Sequence, residues 1–222
     1  ASAMGTEKEL SKLMYRQAGV PTPKGIDVAA GTVFTDEQVD KLIEDLGLPM
    51  FVKPSGNGSS YGVTRVTSRE ELPAALELAG EQGERILIEE SIEGTEITVP
   101  VIGNEDPTAL PIVEIVTGDE FYSIKTKYEP ASLHHVIPAR LEPAVYARAQ
   151  ELAIKAHNVL GCRGVSRSDF IVTKDGVPVV LETNTIPGMT ARSLLPDSAR
   201  TGGIDFPELC TRFIEFALED RQ

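Results

Sequence analysis

Four side chains in the second half of the sequence have the types and spacing to bind a divalent cation beside an anionic substrate. They lie on two apolar stretches separated by Asp175-Gly176, a dipeptide that predicts a β-hairpin with a two-residue turn. With the turn at that place, Asp169 faces Glu182 and Arg167 faces Asn184. Because residues two apart on a strand share a face, all four side chains project to the same side.

This polar face allows two interpretations. Hard cations such as Mg²⁺ prefer carboxylate and amide oxygens, so Asp169, Glu182 and Asn184 match a magnesium site. A structural salt bridge to Arg167 is the alternative, because directly opposed carboxylates are destabilising without a positive partner. The opposite face predicts core and consists of Phe170, Val172, Val179 and Leu181. A fully apolar opposite face favours the metal interpretation, although a β-bulge would shift the pairing.

Two further features could bind anions, and a third could bind the hydroxyl groups of a ligand. Lys53 precedes a glycine-rich stretch at residues 55–60, whose amides and hydroxyls could surround phosphates. That stretch is neither a Walker A loop nor a dinucleotide-binding motif, so a plain connection between strands is the alternative. Pro187-Gly188 predicts a turn with exposed N–H groups. Glu89 and Glu96 lie at strand ends, where carboxylates are mostly solvated but can accept hydrogen bonds from ribose hydroxyls.

Local patterns predict the elements that carry these residues. Apolar periodicity predicts helices over residues 8–18, 35–46, 68–79, 142–160 and 206–218, the second with a capping box from Thr35 to Gln38. Strands are predicted over residues 48–53, 63–66, 85–90, 96–102, 110–116, 165–173 and 177–183. Residues 121–141 lack periodicity and predict a long loop of the kind that often covers an active site. Helices and mostly antiparallel strands without strict alternation indicate an α+β fold.

Composition excludes several classes of function. Thirty-four acidic residues against 21 basic ones give a net charge of −13, which opposes binding to nucleic acid or to an anionic membrane. Trp is absent and aromatic residues are 5 %, so base-stacking surfaces are not expected. There is no apolar run of about 18 residues to span a membrane. Cys162 and Cys210 do not form a disulfide framework and predict buried thiols, so we expect a cytoplasmic protein.

Longer motifs connect these features to a known family. They are Lys53-Pro-Ser-x-x-Gly-Ser-Ser-x-Gly62, Phe121-Tyr with Lys127-Tyr128, Gly161-Cys-Arg-Gly-Val-Ser-Arg-Ser-Asp169, and Glu182-Thr-Asn-Thr-Ile-Pro-Gly-Met-Thr190 followed by Ser193-Leu194. Over nearly the whole chain they resemble the D-alanine–D-alanine ligases of the ATP-grasp superfamily. The last two motifs in this order carry most of the resemblance.

The resemblance implies a fold and a domain organisation. We expect an α+β ATP-grasp fold, in which two lobes with mostly antiparallel sheets clasp ATP between them. Residues 1–94 would form the central lobe with the phosphate loop, and residues 95–222 the C-terminal lobe with the lid loop and the metal-binding hairpin. Family members also carry an N-terminal domain that helps to hold the first D-alanine and to form a homodimer. The chain starts after that domain, so we expect a fragment or a short relative with an incomplete first-substrate site.

The resemblance also implies roles for individual residues. Two Mg²⁺ ions, or Mn²⁺ in their place, would be held by Asp169, Glu182 and Asn184. ATP would be contacted by Lys12, Lys53, Glu89, Ile92, Glu96 and Lys127. The oxyanion of the tetrahedral intermediate would be stabilised by Arg167 and the Gly188 N–H. The first D-alanine and the lid would be oriented by Ser59 and Tyr128. The carboxylate of the second substrate would be bound by Ser193 and Leu194.

The implied activity is ATP-dependent ligation of two D-alanines through a D-alanyl phosphate, a step of peptidoglycan precursor synthesis in cell wall biogenesis. ATP and D-alanine are then the small-molecule partners. In this family, a Lys-Tyr pair such as Lys127-Tyr128 goes with an amine nucleophile, whereas His134-His135 nearby points weakly to a hydroxy acid. Two alternatives stay open: a ligase for another amino acid or hydroxy acid pair, and a nucleotide-binding module that is inactive on its own.

Overall fold

The computed structural model of the chain describes residues 1–56, 61–117, 133–190 and 193–219. Two antiparallel sheets form its frame. The four-stranded sheet consists of β1 (Gly25–Ala29), β2 (Met50–Pro54), β3 (Thr64–Val66) and β4 (Arg85–Glu90), in the order β1-β4-β2-β3. The six-stranded sheet consists of β5 (Gly94–Gly103), β6 (Thr108–Ala109), β7 (Val113–Thr117), β8 (Leu133–Val136), β9 (Gly164–Thr173) and β10 (Pro178–Asn184). Its order is β10-β9-β5-β7-β8, with β6 paired to β5, so β10 is an edge strand.

Helices pack on both sheets. They are α1 (Ser2–Thr6), α2 (Lys8–Gln17), α3 (Asp36–Leu46), α4 (Leu72–Gly80), α5 (Pro143–Val159), α6 (Leu194–Thr201) and α7 (Phe206–Glu219), with a 3₁₀ turn at Arg69–Glu71. The capping box predicted for α3 is present, since Thr35 Oγ1 accepts from the Gln38 N–H and Gln38 Oε1 accepts from the Thr35 N–H. Gly47 ends that helix with a φ of 76°. The predicted mixture of helices and antiparallel strands is confirmed.

Three apolar clusters hold the layers together. The first lies between the four-stranded sheet and helices α3 and α4, with Met50, Val52 and Ile88 at its centre. The second covers one face of the six-stranded sheet and includes residues of α2 and α5, such as Tyr15 and Leu152. The third joins α6 and α7 to the end of β5. The first two clusters each cover one face of a sheet, and the third covers the end of the six-stranded sheet at Ile102.

Helix α2 precedes the four-stranded sheet in the sequence but packs on the six-stranded sheet. The chain passes from the first sheet to the second between Glu90 and Gly94, next to the lobe boundary that the sequence predicts. Tyr15 and Val20 nevertheless belong to the core of the six-stranded sheet, although they precede the whole first sheet in the sequence. An N-terminal helix therefore contributes to the layer that supports β9 and β10.

Several local predictions need correction. Residues 121–141 were expected to form a loop, but Leu133–Val136 forms β8 and pairs with β7; residues 118–132 lie outside the described part. Strands β1 and β6 and helices α1 and α6 have no counterpart among the predicted elements, because each has eight residues or fewer and a short segment gives no distinctive periodicity. Cys162 is buried as predicted, whereas Cys210 is only partly buried. Among the helices of the described ranges, none has the length and apolarity to cross a bilayer.

Candidate active site

The hairpin of β9 and β10 pairs the predicted residues, but its turn and the register next to the turn differ from the prediction. Asp169 is opposite Glu182 and Arg167 is opposite Asn184, as expected. The turn, however, has three residues rather than two, because the Thr173 N–H donates to the Val177 carbonyl at 3.0 Å. This longer turn displaces the pairing by one residue, and a β-bulge between Val180 and Glu182 displaces it back. The predicted turn is wrong, and the predicted pairing is confirmed because the two displacements cancel.

The bulge also changes which residues face the core. Val180 is opposite Phe170, and both are fully buried in the cluster beneath the six-stranded sheet. Leu181, which was predicted to be core, is the extra residue of the bulge and is only half-buried. Beyond it, Glu182 and Asn184 return to the polar face. The bulge is therefore the feature that places these two candidate ligands beside Asp169.

Each acid of the polar face has its own cationic neighbour. Arg167 donates to both oxygens of Asp169, from Nε and Nη2 at 3.0 Å each, and the Thr98 hydroxyl donates to Oδ1 at 2.5 Å. The Nζ of Lys8 lies 3.7 Å from Oε2 of Glu182. The salt-bridge interpretation is thus correct for Arg167 and Asp169. It does not extend to Glu182, whose neighbouring cation comes from helix α2.

The oxygen donors of this face suit a hard cation. Asp169, Glu182 and Asn184 are half-buried, so none of them is enclosed in the core. Asn184 Oδ1 accepts from the Ile186 N–H at 2.9 Å, which orients the amide and leaves a second lone pair. No group of three or more His, Cys, Asp or Glu side chains forms a metal cluster within the described ranges. Two carboxylates and an amide still fit Mg²⁺, which usually completes its shell with water and substrate phosphate.

Glu89, Lys12 and Lys53 form a buried ionic cluster on the four-stranded sheet. The Nζ of Lys12 lies 2.7 Å from Glu89 Oε2, and Lys53 Nζ donates to Glu89 Oε1. Glu89 is 3 % exposed, so the expectation of a solvated strand-end carboxylate is wrong for this residue. Burial alone would raise the pKa of Glu89, but the ammonium groups of Lys53 and Lys12 outweigh burial and lower the pKa to about 2. Burial lowers the pKa of Lys12 to about 8, against the opposing effect of Glu89.

Lys8 is a candidate site residue that the sequence reasoning missed. It lies one helical turn before Lys12 on α2 and is 6 % exposed. Burial lowers its pKa, while Glu182 acts in the opposite direction. Because residues four apart share one face of a helix, the spacing of Lys8 and Lys12 was a signal that both could point inward. Helix α2 thus brings one ammonium to each of two acids, Glu182 on the second sheet and Glu89 on the first.

The turn after β10 brings Gly188 next to Ser193. The Ser193 hydroxyl accepts from the Thr190 N–H at 3.0 Å, and Ser193 immediately precedes α6. A Cβ added to Gly188 would lie 2.7 Å from Ser193 Oγ, so the two residues are in close contact. The residue predicted to supply an oxyanion N–H and the residue predicted to bind the second substrate are therefore adjacent. Leu194 begins α6 and is half-buried.

The remaining predicted site residues are more scattered. Ile92 follows β4 and Glu96 lies on β5 opposite Ile171, and both are half-buried. Ser59, Lys127 and Tyr128 lie outside the described residues.

Comparisons with known proteins agree with this architecture. The family model described as D-ala D-ala ligase C-terminus matches residues 14–215. A D-alanine–D-alanine ligase of Pelotomaculum thermopropionicum is 40 % identical, covering 99 % of this chain and 70 % of that protein. The ligase structure from Coxiella burnetii superposes with a TM-score of 0.86 at 28 % identity, covering 98 % of this chain and 58 % of its own. The Bacillus anthracis ligase complexed with ATP has a TM-score of 0.81 at 32 % identity, with coverages of 98 % and 67 %.

These similarities extend over nearly the whole chain, which spans about 70 % of the Pelotomaculum relative and 58 % of the Coxiella chain. The ATP-grasp α+β fold expected from the sequence is confirmed by the structural neighbours. The expected resemblance to D-alanine–D-alanine ligases is confirmed by the family model and by the relatives. The chain belongs to the D-alanine–D-alanine ligase family of ATP-dependent ligases.

Proposed function

We propose that this chain binds ATP between residues 1–94 and 95–222 and carries the bond-forming residues that join two D-alanines through a D-alanyl phosphate. The observation that carries the proposal is the pairing of Asp169 with Glu182 on one polar face, beside Arg167 and Asn184. A ligand set of this kind needs an anionic substrate to complete it. The ATP bound by the Bacillus anthracis relative supplies such an anion in a similar fold.

Asp169, Glu182 and Asn184 would hold the two Mg²⁺ ions. Bound there, Mg²⁺ neutralises the charge of the phosphate oxygens during transfer to the carboxylate of the first D-alanine. Lys8, next to Glu182, would add a fixed ammonium at the same end of the site. Arg167 holds Asp169 through two hydrogen bonds, so the ligand is already oriented before the substrate arrives.

The nucleotide would lie against the polar face of the four-stranded sheet. Lys53 and Lys12 are the proposed phosphate contacts, and Glu89 with Ile92 and Glu96 the proposed contacts of adenine and ribose. In this structure the carboxylate of Glu89 neutralises both lysines. Phosphate oxygens would compete with Glu89 for Lys53, whose side chain is 13 % exposed, more readily than for Lys12, whose side chain is 2 % exposed. Lys53 is therefore the more accessible phosphate contact.

The second half of the reaction would take place at the end of β10. Attack of the second amine on the acyl phosphate creates an oxyanion, which needs donors already in place. Arg167 and the Gly188 N–H are the proposed donors, and Ser193 with Leu194 the proposed site of the second carboxylate. Ser59, Tyr128 and Lys127 complete the proposal as residues that orient the first D-alanine, the lid and the transferred phosphate.

A coupled assay of ADP release tests the proposal. With ATP, Mg²⁺ and D-alanine, we expect ADP release that depends on both the metal and the amino acid, with D-alanyl-D-alanine identified by mass. Product formed only with another amino acid or hydroxy acid would support the alternative substrate pair. ATP binding by calorimetry without turnover would support a module that is inactive on its own. Absence of ATP binding would reject the proposal.

A further inference from the structure

Three buried hydroxyl groups form a connected chain directly behind the paired acids. The Tyr15 hydroxyl donates to Thr183 Oγ1 at 2.7 Å, and Thr183 Oγ1 lies 2.8 Å from Ser168 Oγ. Tyr15 and Ser168 are 0 % exposed and Thr183 is 2 % exposed. Thr183 separates Glu182 from Asn184 in β10, and it is opposite Ser168 in β9. The three linked hydroxyl groups therefore contact β9 and β10 at residues next to the candidate ligands.

These hydroxyls lie in a mostly apolar layer, which also contains the buried polar pair of His157 Nδ1 and Ser166 Oγ, 2.8 Å apart. Tyr15 packs in the same cluster as Phe170, Val180 and residues of α5. A buried hydroxyl without a hydrogen-bond partner is costly. Each of the three hydroxyls therefore stabilises the arrangement in which all three are linked by hydrogen bonds. The arrangement requires Thr183 to point into the core and to be opposite Ser168.

That requirement is met only in the bulged register of β10. If the pairing of Val180 with Phe170 continued without a bulge, Glu182 would be opposite Ser168 and would point into the core. Thr183 would then point to the polar face, away from Tyr15. The hydroxyl chain and the candidate metal ligands therefore depend on the same one-residue shift.

The segment after α2 holds the bulge from the open edge of the sheet. The Val180 N–H donates to the Pro21 carbonyl at 2.8 Å, and the Thr22 hydroxyl donates to the Val180 carbonyl at 3.0 Å. Val180 is the last residue before the register shifts. With both of its backbone groups bonded to residues 21 and 22, Val180 is fixed in place. Tyr15 then fixes Thr183 on the far side of the bulge.

We propose that Tyr15 is a positioning residue: its hydrogen bond to Thr183, extended to Ser168, holds β10 in the bulged register that places Glu182 and Asn184 beside Asp169. The proposal rests on the proposed function for the identity of the ligands. Tyr15 itself does not touch the substrate, and it acts through the backbone of β10.

Binding of Mn²⁺ in the presence of a non-hydrolysable ATP analogue, measured by electron paramagnetic resonance, tests the proposal without turnover. Tyr15→Phe and Thr183→Val each remove one hydroxyl with little change of volume. We expect each to weaken Mn²⁺ binding about 5- to 10-fold, the effect of one buried hydrogen bond. Thr183→Ser keeps a hydroxyl and should restore binding to within about twofold. The double variant should bind Mn²⁺ about as tightly as either single variant, because each substitution breaks the same hydrogen bond between Tyr15 and Thr183.

Tyr146→Phe is the matched control. Its hydroxyl is partly buried and accepts from the Ile112 N–H at 2.7 Å, so its hydrogen bond is made just before β7 and not in the β9–β10 hairpin. We expect this variant to lose stability and keep its Mn²⁺ affinity. Equal weakening by Tyr15→Phe and Tyr146→Phe, or none by Tyr15→Phe and Thr183→Val, would overturn the proposal.

Amide hydrogen exchange separates this inference from the proposed function. Tyr15→Phe should speed exchange in residues 181–184 relative to β7, whether or not a metal binds. If the unmodified chain binds no Mn²⁺ but shows this change, the proposed metal site fails and the positioning of β10 stands. If the chain binds Mn²⁺ and Tyr15→Phe leaves exchange in β10 unchanged, the positioning role is refuted.

Discussion

Glu89→Gln should destabilise the protein strongly, because it leaves two buried ammonium groups without their shared counter-charge. The side chains of Glu89 and Lys12 are 4 % and 2 % exposed, so water cannot replace the lost carboxylate. Breaking a buried ion pair by removing one partner typically costs about 3–5 kcal/mol. The pKa of Glu89 gives a similar figure, since its fall from 4.5 to about 2 corresponds to roughly 3–4 kcal/mol at about 1.4 kcal/mol per unit.

The pH dependence of this contribution has a definite sign. The pKa of Glu89 is lower in the folded protein than in the unfolded chain, so the unfolded chain takes up the proton first as the pH falls. The contribution is therefore complete above about pH 4.5 and is lost as the pH falls toward about 2. The unmodified protein should lose stability more steeply than Glu89→Gln across this window.

Urea unfolding at pH 7 measures the effect directly. A loss of about 3 kcal/mol corresponds to a fall of about 6–12 °C in Tm for a chain of this size. Glu114→Gln is the matched control, because Glu114 is also buried but its partner Arg140 is 66 % exposed and can turn to water. We expect a smaller loss for this control. If the free energy of unfolding of Glu89→Gln lies within about 0.5 kcal/mol of that of the unmodified protein, the Glu89 carboxylate does not stabilise the fold through these two lysines.

Three further substitutions test the other parts of the site. Asp169→Asn removes a candidate metal ligand and should lower Mg²⁺-dependent ADP release about 100-fold, with a circular dichroism spectrum that is unchanged. Arg167→Lys keeps the charge but loses the two parallel hydrogen bonds to Asp169, so kcat should fall by about 10²-fold in initial-rate measurements. Gly188→Ala places a Cβ 2.7 Å from Ser193 Oγ, and the displaced serine should raise KM for the second D-alanine more than KM for ATP.

The sequence predicts what local rules decide. The capping box of α3 depends on Thr35 and Gln38 alone, and the structure contains it. The pairing of Asp169 with Glu182 was also predicted, but through a turn that is one residue too short and without the bulge that compensates for it. A bulge at an edge strand depends on what binds the edge, here Pro21 and Thr22, which are far away in the sequence.

The cluster of Glu89, Lys12 and Lys53 shows why the rest of the site could not be predicted from the sequence. Periodicity places Lys12 on a helix and Glu89 on a strand, but it does not say that the helix covers the strand. Burial of Glu89 follows from that long-range packing, and so do the contacts of Lys8 with Glu182 and of Tyr15 with Thr183. Spacing can indicate which residues share a face, whereas the partner of that face is fixed only by the tertiary fold.

We propose that Asp169 and Glu182 share bound metal against the phosphates of ATP. A crystal structure of the chain with Mn²⁺ and a non-hydrolysable ATP analogue tests it most directly, because anomalous scattering locates Mn²⁺ without reference to the protein. We expect manganese peaks coordinated by Asp169, Glu182 and Asn184 and by phosphate oxygens. Nucleotide bound with its manganese away from these three side chains would contradict it.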